Sequence, residues 1–379
     1  MMETSDIVAA VRDVVGPGPV ALHEPSVTLD EWTSRIGVSD NSVVGYDAIN
    51  EFQAKLANVC GVEQALCVSS GTAALHLALM ITGVEQFTEV LVPAMTFVAT
   101  ANAVSYCGAI PNFVDVRAHD CGINPFKLGR YLDRICEKRS PGVFNRMTGR
   151  RITALIAVDM LGVPCAMDEI KAETGRWGIP VIEDAAQALG SVYKDRPCGS
   201  NAAIGIISFN ANKIVTTGVG GALLTDDAWV QAKAWELATT ARIAHPWRMG
   251  DHSCIAWNYR MGNINAALGL PQLERLNELV ALKVKVFRAY AKALGFAPVQ
   301  EDRIYNCWLS NFTLDPLDHR RDEICAALHA AGIASRTLFT PLNELPFYKT
   351  CPRDNLEGAQ DIWRRTICLP SSPKLGERL

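Results

Sequence analysis

Short apolar runs alternate with helix-patterned stretches between about residue 50 and residue 225, and this alternation restricts the possible folds more than any other feature. Strands buried in a parallel sheet read as continuous apolar runs, while the covering helices place apolar residues every three or four positions. Seven runs bounded by Gly, Pro, Asp or Ser predict the strands Ala65–Val68, Glu89–Val92, Ile110–Val114, Ile152–Val158, Val181–Glu183, Ala203–Ser208 and Gly221–Thr225. Helices are predicted at Ala73–Ile81, at Ala99–Tyr106 and after Met167. This part of the chain therefore predicts an α/β domain with a largely parallel sheet flanked by helices.

The rest of the chain predicts a second, smaller unit, because 379 residues exceed what a single core usually serves. Ile264–Leu294 has helical spacing that is interrupted at Pro271, a residue that disfavours a continuous helix. A strand-like run at Trp308–Leu314 and a helix around Arg321–Ala331 follow, as in a small α+β domain. We expect a large domain at residues 1–260, including the N-terminal segment, and connecting helices with the small domain at residues 261–379.

Charge and cysteine usage narrow the functional classes. The net charge of -4 is spread along the chain, so neither a nucleic-acid partner nor an anionic membrane surface is indicated. The basic, turn-rich segment Glu137–Arg151 is interpreted as an exposed loop or hairpin leading into the strand at Ile152. The acidic N-terminus lacks a signal-peptide pattern and no apolar run is long enough to span a membrane, so we expect a cytoplasmic enzyme. Twelve cysteines without C-x-x-C and seven histidines without metal spacing predict reduced thiols and no metal site.

Two motifs lie where open parallel sheets bind their ligands, at the ends of predicted strands. The small-residue turn Ser69–His76 opens a helix whose first N–H groups form a potential phosphate site. An ordinary Ser/Thr-capped helix explains the same residues. Pro93–Phe97 ends another strand, and Phe97 is a candidate to stack on a flat ligand, although core packing also explains it.

Two further strand ends carry charged groups. The apolar strand at Val181 ends in Glu183 and Asp184. Asp184 could pair with a protonated ring nitrogen, and Gln187 could reach a ring oxygen. Glu183 would then point to the opposite face of the strand. An Asp that caps a turn is the alternative. Lys213 follows another strand, and a lysine in a pocket of low polarity can be neutral enough to attack an aldehyde. Without the other motifs, it would be an ordinary solvated charge.

The remaining signals decide little by themselves. The Gly-rich run at 218–221 does not complete the dinucleotide motif G-x-G-x-x-G, because Leu223 stands at its last position. Asn258–Met261 is a polar, aromatic and basic cluster before the long helical stretch. Three arginines are candidates for binding a sugar diphosphate or a donor carboxylate, or are solvated residues without a function: Arg242, Arg260 and Arg336.

In this order and spacing, the motifs resemble those of the DegT/DnrJ/StrS nucleotide-sugar aminotransferases, a branch of the fold-type I pyridoxal-phosphate enzymes. The resemblance runs from about residue 20 to the C-terminus and rests on SGTAALHLAL, VPAMTFVATANAV, NFVDV, PVIEDAAQALGS, SFNANKIVTTGVGGALLTDD and NYRMGNINAALGLPQLERL. LHEP near the start, TGRRITALIAVDMLGVPC and TTARIAHPW look like the LegC-type and perosamine-synthase-like sugar 4-aminotransferases. The resemblance implies a large domain with a mostly parallel mixed sheet, a small α+β domain, and a homodimer with shared active sites.

Position by position, the resemblance implies a role for each motif. Lys213 forms the Schiff base with pyridoxal 5'-phosphate, Asp184 pairs with its ring nitrogen, and Gln187 touches its ring oxygen. Phe97 stacks on the ring. The cofactor phosphate is held by Gly71, Thr72, Ser208 and, from the neighbouring subunit, Asn258.

Three positions depart from the family pattern and could alter sugar recognition. Asp159 stands where a histidine is common, Asn210 stands where an aromatic residue or histidine is frequent, and Val219 interrupts a glycine run. The Schiff-base position is Lys213, whereas related sugar dehydratases have a histidine there, so the resemblance favours the aminotransferase branch.

The reaction implied by the resemblance transfers an amino group from glutamate, through the pyridoxamine 5'-phosphate form of the cofactor, to a nucleotide-linked 4-keto-6-deoxy sugar. Released Lys213 would move the proton between cofactor and sugar. The subfamily resemblance suggests UDP-2-acetamido-2,6-dideoxy-4-hexulose as the acceptor, for amino sugars of a surface glycan. A GDP- or dTDP-linked 4-keto or 3-keto sugar is the alternative acceptor. A pyridoxal-phosphate lyase or desulfurase and a catalytically silent regulator remain open as different classes.

Overall fold

The computed structural model describes residues 2–28, 30, 33, 48–248, 250–296 and 303–379. Its strands are β1 Gln64–Val68, β2 Glu89–Pro93, β3 Ile110–Val114, β4 Cys136–Arg139, β5 Gly142–Asn145, β6 Arg151–Val158, β7 Val181–Asp184, β8 Val192–Tyr193, β9 Arg196–Pro197, β10 Ile204–Ser208, β11 Gly221–Thr225, β12 Arg303–Ile304, β13 Asn311–Thr313, β14 Arg336–Thr337 and β15 Thr366–Cys368. The central sheet has the order β1-β11-β10-β7-β6-β2-β3. Neighbours from β3 to β10 pair in parallel, whereas β11 is antiparallel to both β1 and β10. All seven predicted strands are confirmed, to within one residue at either end.

Helices cover both faces of this sheet. The α-helices of the described residues, in chain order, are α1 Thr4–Val15, α2 Ala48–Cys60, α3 Gly71–Ile81, α4 Ala99–Tyr106, α5 Pro125–Ile135, α6 Met167–Gly175, α7 Ala228–Ala238, α8 Asn263–Glu274, α9 Leu276–Leu294, α10 Arg321–Ala330, α11 Glu357–Arg365 and α12 Pro373–Arg378. Alternate residues of β6 enter different cores: Ile156 packs with α2, α3 and α8, while Leu155 packs with α5 and α6. Burial on both faces explains why the strands read as unbroken apolar runs. The predicted α/β class is confirmed.

The segment Glu137–Arg151 adopts the hairpin that was one of its two predicted forms. β4 and β5 pair antiparallel, and β5 continues the pairing onto β6. Asn145 at the end of β5 donates a hydrogen bond from its side chain to Glu89 at the start of β2, 2.9 Å away. This contact joins the hairpin to the amino end of β2, whereas the motifs lie at the carboxyl ends of the strands.

The C-terminal part forms a small α+β unit. β13, β15 and β14 make an antiparallel sheet beside α10. Helix α1 packs with this part of the chain, because Ile7 and Val11 share an apolar core with Tyr290 of α9 and Leu328 of α10. The division at residues 1–260 and 261–379 stays a prediction, and the packing places the N-terminal helix beside the C-terminal elements.

One expected feature of the C-terminal part was wrong, and a second is confirmed only over part of its length. Helix α8 passes through Pro271 and ends at Glu274, so the interruption falls at Arg275 and not at the proline. Pro271 lies in the last turn, where its missing N–H removes only one helical hydrogen bond. The strand predicted at Trp308–Leu314 is confirmed over Asn311–Thr313, and the buried side chain of Trp308, before the strand, lines a cavity.

Candidate active site

A cavity of about 540 Å³ lies at the carboxyl ends of β7 and β10, beside the N-terminus of α3. This volume is within the range of small-molecule sites, and the position is the one at which open α/β sheets bind ligands. Nine residues singled out in the sequence line it: Gly71, Thr72, Phe97, Asp184, Gln187, Ser208, Asn210, Lys213 and Arg336. The fold therefore gathers these residues, which are up to 265 positions apart in the chain, around one space.

The N-terminus of α3 forms one end of the cavity. The hydroxyl oxygen of Ser70 accepts a hydrogen bond from the N–H of Ala73 at 3.0 Å, and the first N–H groups of any helix lack partners within it. Gly71 packs tightly on Ser208, since a β-carbon at residue 71 would lie 3.0 Å from the β-carbon of Ser208. These N–H groups, with the hydroxyls of Thr72 and Ser208, fit a phosphate group.

Asp184 ends β7 as an almost fully buried carboxylate. One of its oxygens accepts a hydrogen bond from the hydroxyl of Thr100 at 3.1 Å, and the other accepts one from the N–H of Ala186 at 3.2 Å. Burial raises the pKa of Asp184, and these two hydrogen bonds and the charge of Lys213 act in the opposite direction. A cationic ring N–H would give this buried charge a partner, so the site fits a protonated pyridine.

Glu183 points away from the cavity, as predicted from the alternation of a strand. Its two carboxylate oxygens accept hydrogen bonds from the main-chain N–H and the side-chain amide of Asn201, at 2.7 and 3.0 Å. The two adjacent carboxylates therefore serve different faces of the sheet.

Lys213 lies on the loop after β10, where its N–H donates to the carbonyl of Asn210 at 2.9 Å. Its Nζ lies 4.1 Å from the centre of the Trp308 ring, and the indole N–H of Trp308 donates to the carbonyl of Asn212 at 2.7 Å. Burial lowers the pKa of Lys213 to about 8, with Arg336 adding to the effect and Asp184 opposing it. A useful fraction of the amine is therefore neutral near physiological pH, as a nucleophile requires.

Three other predicted residues shape the side walls. The rings of Phe97 and Phe339 lie 5.4 Å apart between centres, and the guanidinium of Arg336 lies 4.5 Å from the centre of Phe339. Half of the surface of Phe97 is exposed, which leaves a face for a flat ligand. The side-chain oxygen of Gln187 accepts the N–H of Leu161 at 2.8 Å, so its NH₂ is the group left to donate.

Three candidates lie outside this cavity: Asn258, Arg242 and Arg260. All are exposed on the surface of the chain. The contact proposed for Asn258 requires a second subunit, so its role and those of the two arginines stay predictions.

The sequence analysis missed Thr100, Trp308 and Phe339, which contact Asp184, Lys213 and Arg336 respectively. Thr100 follows the Pro93–Phe97 motif closely enough to have been considered. Trp308 and Phe339 come from the C-terminal part, and no local pattern marks them.

The placement of Lys213 and Asp184 around one cavity fits the site expected of a pyridoxal-phosphate-dependent aminotransferase. The match to the DegT/DnrJ/EryC1/StrS aminotransferase family covers residues 35–378, and the chain belongs to this family. The family resemblance seen in the motifs is thereby confirmed, and the chain is a sugar-nucleotide aminotransferase.

Two curated relatives and one solved structure show the range of the similarity. The chain is 37% identical to the putative pyridoxal phosphate-dependent aminotransferase EpsN of Bacillus subtilis, over 87% of this chain and 84% of EpsN. It is 34% identical to the GDP-perosamine synthase of Caulobacter vibrioides, over 87% of this chain and 86% of the synthase. Its fold is similar to that of the putative sugar aminotransferase Spr1654 from Streptococcus pneumoniae in the PMP form, with a TM-score of 0.81, 24% identity and 94% of each chain covered.

No helix within the described parts of the chain combines the length and the apolar character needed to cross a membrane.

Proposed function

We propose that the chain transfers the amino group of glutamate to the 4-keto group of a nucleotide-linked 4-keto-6-deoxy sugar, with pyridoxal 5'-phosphate bound at Lys213. The observation that carries the proposal is the shared cavity, in which an amine with a pKa of about 8, a buried carboxylate and a helix N-terminus face one space. These are the groups that the aldehyde, the ring nitrogen and the phosphate of this cofactor need.

When bound, the cofactor supplies an electron sink for the carbon that gains or loses a proton. The protein's own groups do the rest. The N-terminus of α3 and Ser208 would anchor the phosphate, and Asp184 would keep the ring nitrogen protonated by charge pairing. Lys213 is placed to act as base and acid at the reacting carbon, since its depressed pKa suits proton transfer near neutral pH.

The cavity walls support a polar, anionic acceptor. Besides Lys213, Asp184 and His23, Arg336 adds a guanidinium to a space that is lined by hydroxyl, amide, aromatic and aliphatic groups. Our first candidate is UDP-2-acetamido-2,6-dideoxy-4-hexulose, from the motif resemblance. A GDP-linked 4-keto-6-deoxy sugar is the second candidate, and the identity to the GDP-perosamine synthase favours it.

The competing classes make different demands on the site. A desulfurase needs a cysteine that can carry sulfur, and none of the described residues lining the cavity is a cysteine. A silent regulator would need no reactive amine at position 213. Both are tested by the same experiment.

The test loads the purified protein with pyridoxal 5'-phosphate, adds glutamate, and then offers UDP-, GDP- and dTDP-linked 4-keto-6-deoxy sugars. We expect glutamate to bleach the absorbance of the lysine-bound cofactor, and one sugar to restore it with the mass of an amino sugar. Lys213→Ala should show neither change, while Lys349→Ala, an exposed lysine remote from the cavity, should behave as the unaltered protein. An unchanged spectrum with glutamate would remove the proposal.

A further inference from the structure

The N-terminal segment that includes LHEP crosses from the C-terminal unit to the wall of the cavity. The N–H of Val20 donates to the carbonyl of Gly332 at 3.0 Å, and the N–H of Ser371 donates to the carbonyl of Leu22 at 2.7 Å. The N–H of Glu24 donates to the hydroxyl of Ser372 at 2.7 Å. The segment is thus fixed on both sides of His23, whose ring lines the cavity.

The imidazole of His23 is unusual because both of its nitrogens are shielded from solvent and neither has a hydrogen-bond partner. Buried polar atoms are nearly always paired, so an orphaned ring on a cavity wall indicates a partner supplied by a ligand. Since neither nitrogen is exposed, a ring carbon, Cδ2 or Cε1, is the atom that can meet the cavity. Rotation by 180° about the Cβ–Cγ bond exchanges Nδ1 with Cδ2 and Nε2 with Cε1 in nearly the same volume, so it brings one nitrogen to the edge that faces the cavity.

Burial and two nearby positive charges favour the neutral form of His23. Burial lowers the pKa of His23 to about 2, and the positive charges of Lys283 and Lys213 act in the same direction. Lys283 is itself buried, and its side-chain amine donates to the carbonyl of Ser371, the residue whose N–H holds Leu22. His23 is therefore a neutral imidazole, which offers one N–H donor and one acceptor nitrogen.

We propose that His23 binds a hydroxyl group of the nucleotide-linked sugar during the second half of the reaction, an assignment that rests on the proposed function. The nitrogen that faces the cavity is a donor or an acceptor, depending on the tautomer, and a hydroxyl can pair with either. The carboxylates of glutamate prefer cations, and Arg336 on the same cavity supplies one. His23 should consequently matter for the sugar and not for the amino donor.

The experiment compares His23→Leu, which removes both polar atoms, with His23→Gln, which keeps a donor and an acceptor. Glu24→Gln is the matched control, because the side chain of this exposed neighbour makes no hydrogen bond or ion pair with the described residues and its main-chain N–H holds the segment. Each half-reaction is followed separately by the absorbance of the loaded protein. Binding of UDP-2-acetamido-4-amino-2,4,6-trideoxyhexose and of GDP-perosamine, the amino-sugar products of the two candidate acceptors, is measured by calorimetry.

We expect His23→Leu to leave the glutamate half-reaction within about twofold and to reduce kcat/KM of the sugar half-reaction and product affinity by about 10- to 100-fold. His23→Gln should recover part of the loss. Equal losses in both half-reactions, or unchanged sugar binding, would overturn the assignment. Failure of the proposed function is seen separately, as unaltered protein that does not respond to glutamate, and the calorimetric comparison still decides the role of His23.

Discussion

The fraction of Lys213 that is neutral determines how fast the chain can capture its cofactor. With a pKa of about 8, roughly one tenth of the amine is neutral at pH 7, far more than at the ordinary value of 10.5. Capture should therefore accelerate as pH rises and level off above about pH 8. The rate is measured by mixing the cofactor-free protein with pyridoxal 5'-phosphate, trapping with borohydride at each pH, and locating the labelled lysine by mass. A profile that still rises steeply at pH 10 would contradict the assignment.

Trp308 should shift this profile, because its ring lies against the ammonium group. Contact between an ammonium and an aromatic face stabilises the charged form by about 0.5–2 kcal/mol. In Trp308→Leu the midpoint should therefore move to lower pH, and loss of the indole N–H bond to Asn212 should loosen the loop and slow both half-reactions. Trp229→Leu, which changes an exposed tryptophan on α7, serves as the control and should leave the midpoint unchanged.

Asp184 should be needed for chemistry more than for cofactor retention. Asp184→Asn removes the charge that would pair with the ring nitrogen but keeps an oxygen that can accept from Thr100. We expect both half-reactions to slow by about 100- to 1,000-fold while the bound cofactor remains at one per chain. The rates of Thr100→Val should lie between those of Asp184→Asn and the unaltered protein, because this change leaves the carboxylate and removes one of its hydrogen bonds. Stopped-flow absorbance gives the rates, and equal rates in Asp184→Asn and the unaltered protein would exclude this role.

The strands and several site residues could be predicted from the sequence, because local patterns mark them. A run of apolar residues is a direct consequence of burial on both faces; Asp184 ends one such run, and Lys213 lies on the loop after another. Trp308 could not be predicted, since its apolar neighbours also suit a strand and only the packing against Lys213 explains it. His23 reaches the cavity through hydrogen bonds to residues more than 300 positions away, and no local pattern encodes such contacts.

Strands β6 and β7 bring two carboxyl groups together on the face opposite the cavity. Asp159 and Glu183 lie with Cys198 in a buried group whose ligand atoms are within 4.8 Å of one another. One oxygen of Asp159 accepts the N–H of Cys165 at 2.8 Å, and the other has no partner. Burial, and next the charge of Glu183, raise the pKa of Asp159 well above its ordinary value. The raised pKa favours the protonated form of Asp159 to a higher pH than for an ordinary carboxyl.

This raised pKa gives a stability prediction with a definite sign. The unfolded carboxyl ionises near pH 4, whereas the folded one must keep its proton, so folding becomes less favourable as pH rises from about 4 toward the folded pKa. Asp159→Asn removes the ionisable group and therefore this pH-dependent loss of stability. The amide can still accept a hydrogen bond from the N–H of Cys165 and can donate one to Glu183. We expect its Tm to exceed that of the unaltered protein by about 1–4 °C at pH 8, with a smaller difference at pH 5.

The control is Asp168→Asn, which removes a surface carboxylate paired with Lys194 and Arg196 and should change Tm by less than about 1 °C, because exposed ion pairs contribute little. Thermal unfolding at pH 5, 6, 7 and 8 makes the comparison. A metal ion present at one per chain in the purified protein would contradict a protonated Asp159, and would also contradict the sequence-based expectation of no metal.

The surface around Asn258 indicates how whole molecules associate. Trp247 and Ile255 are 82% and 89% exposed, although both are large and apolar, and they lie on the same stretch of chain as Asn258. Exposed apolar groups of this kind mark contact surfaces. We therefore expect a homodimer in which this stretch faces the second subunit, and Ile255→Asp should shift the molar mass measured by light scattering toward that of one chain of 41.2 kDa.

A hybrid dimer tests whether Asn258 of one chain serves the site of the other. Lys213→Ala and Asn258→Asp should each be nearly inactive as homodimers, because the first lacks the amine and the second places a negative charge beside the cofactor phosphate. After the two are mixed, unfolded and refolded together, half of the dimers are hybrids, and in a shared arrangement each hybrid has one site with both natural residues. Activity should then recover to about one quarter of that of the unaltered protein. If Asn258 served only its own chain, one site of each hybrid would carry only the Lys213→Ala change and the other only Asn258→Asp, and no activity would return.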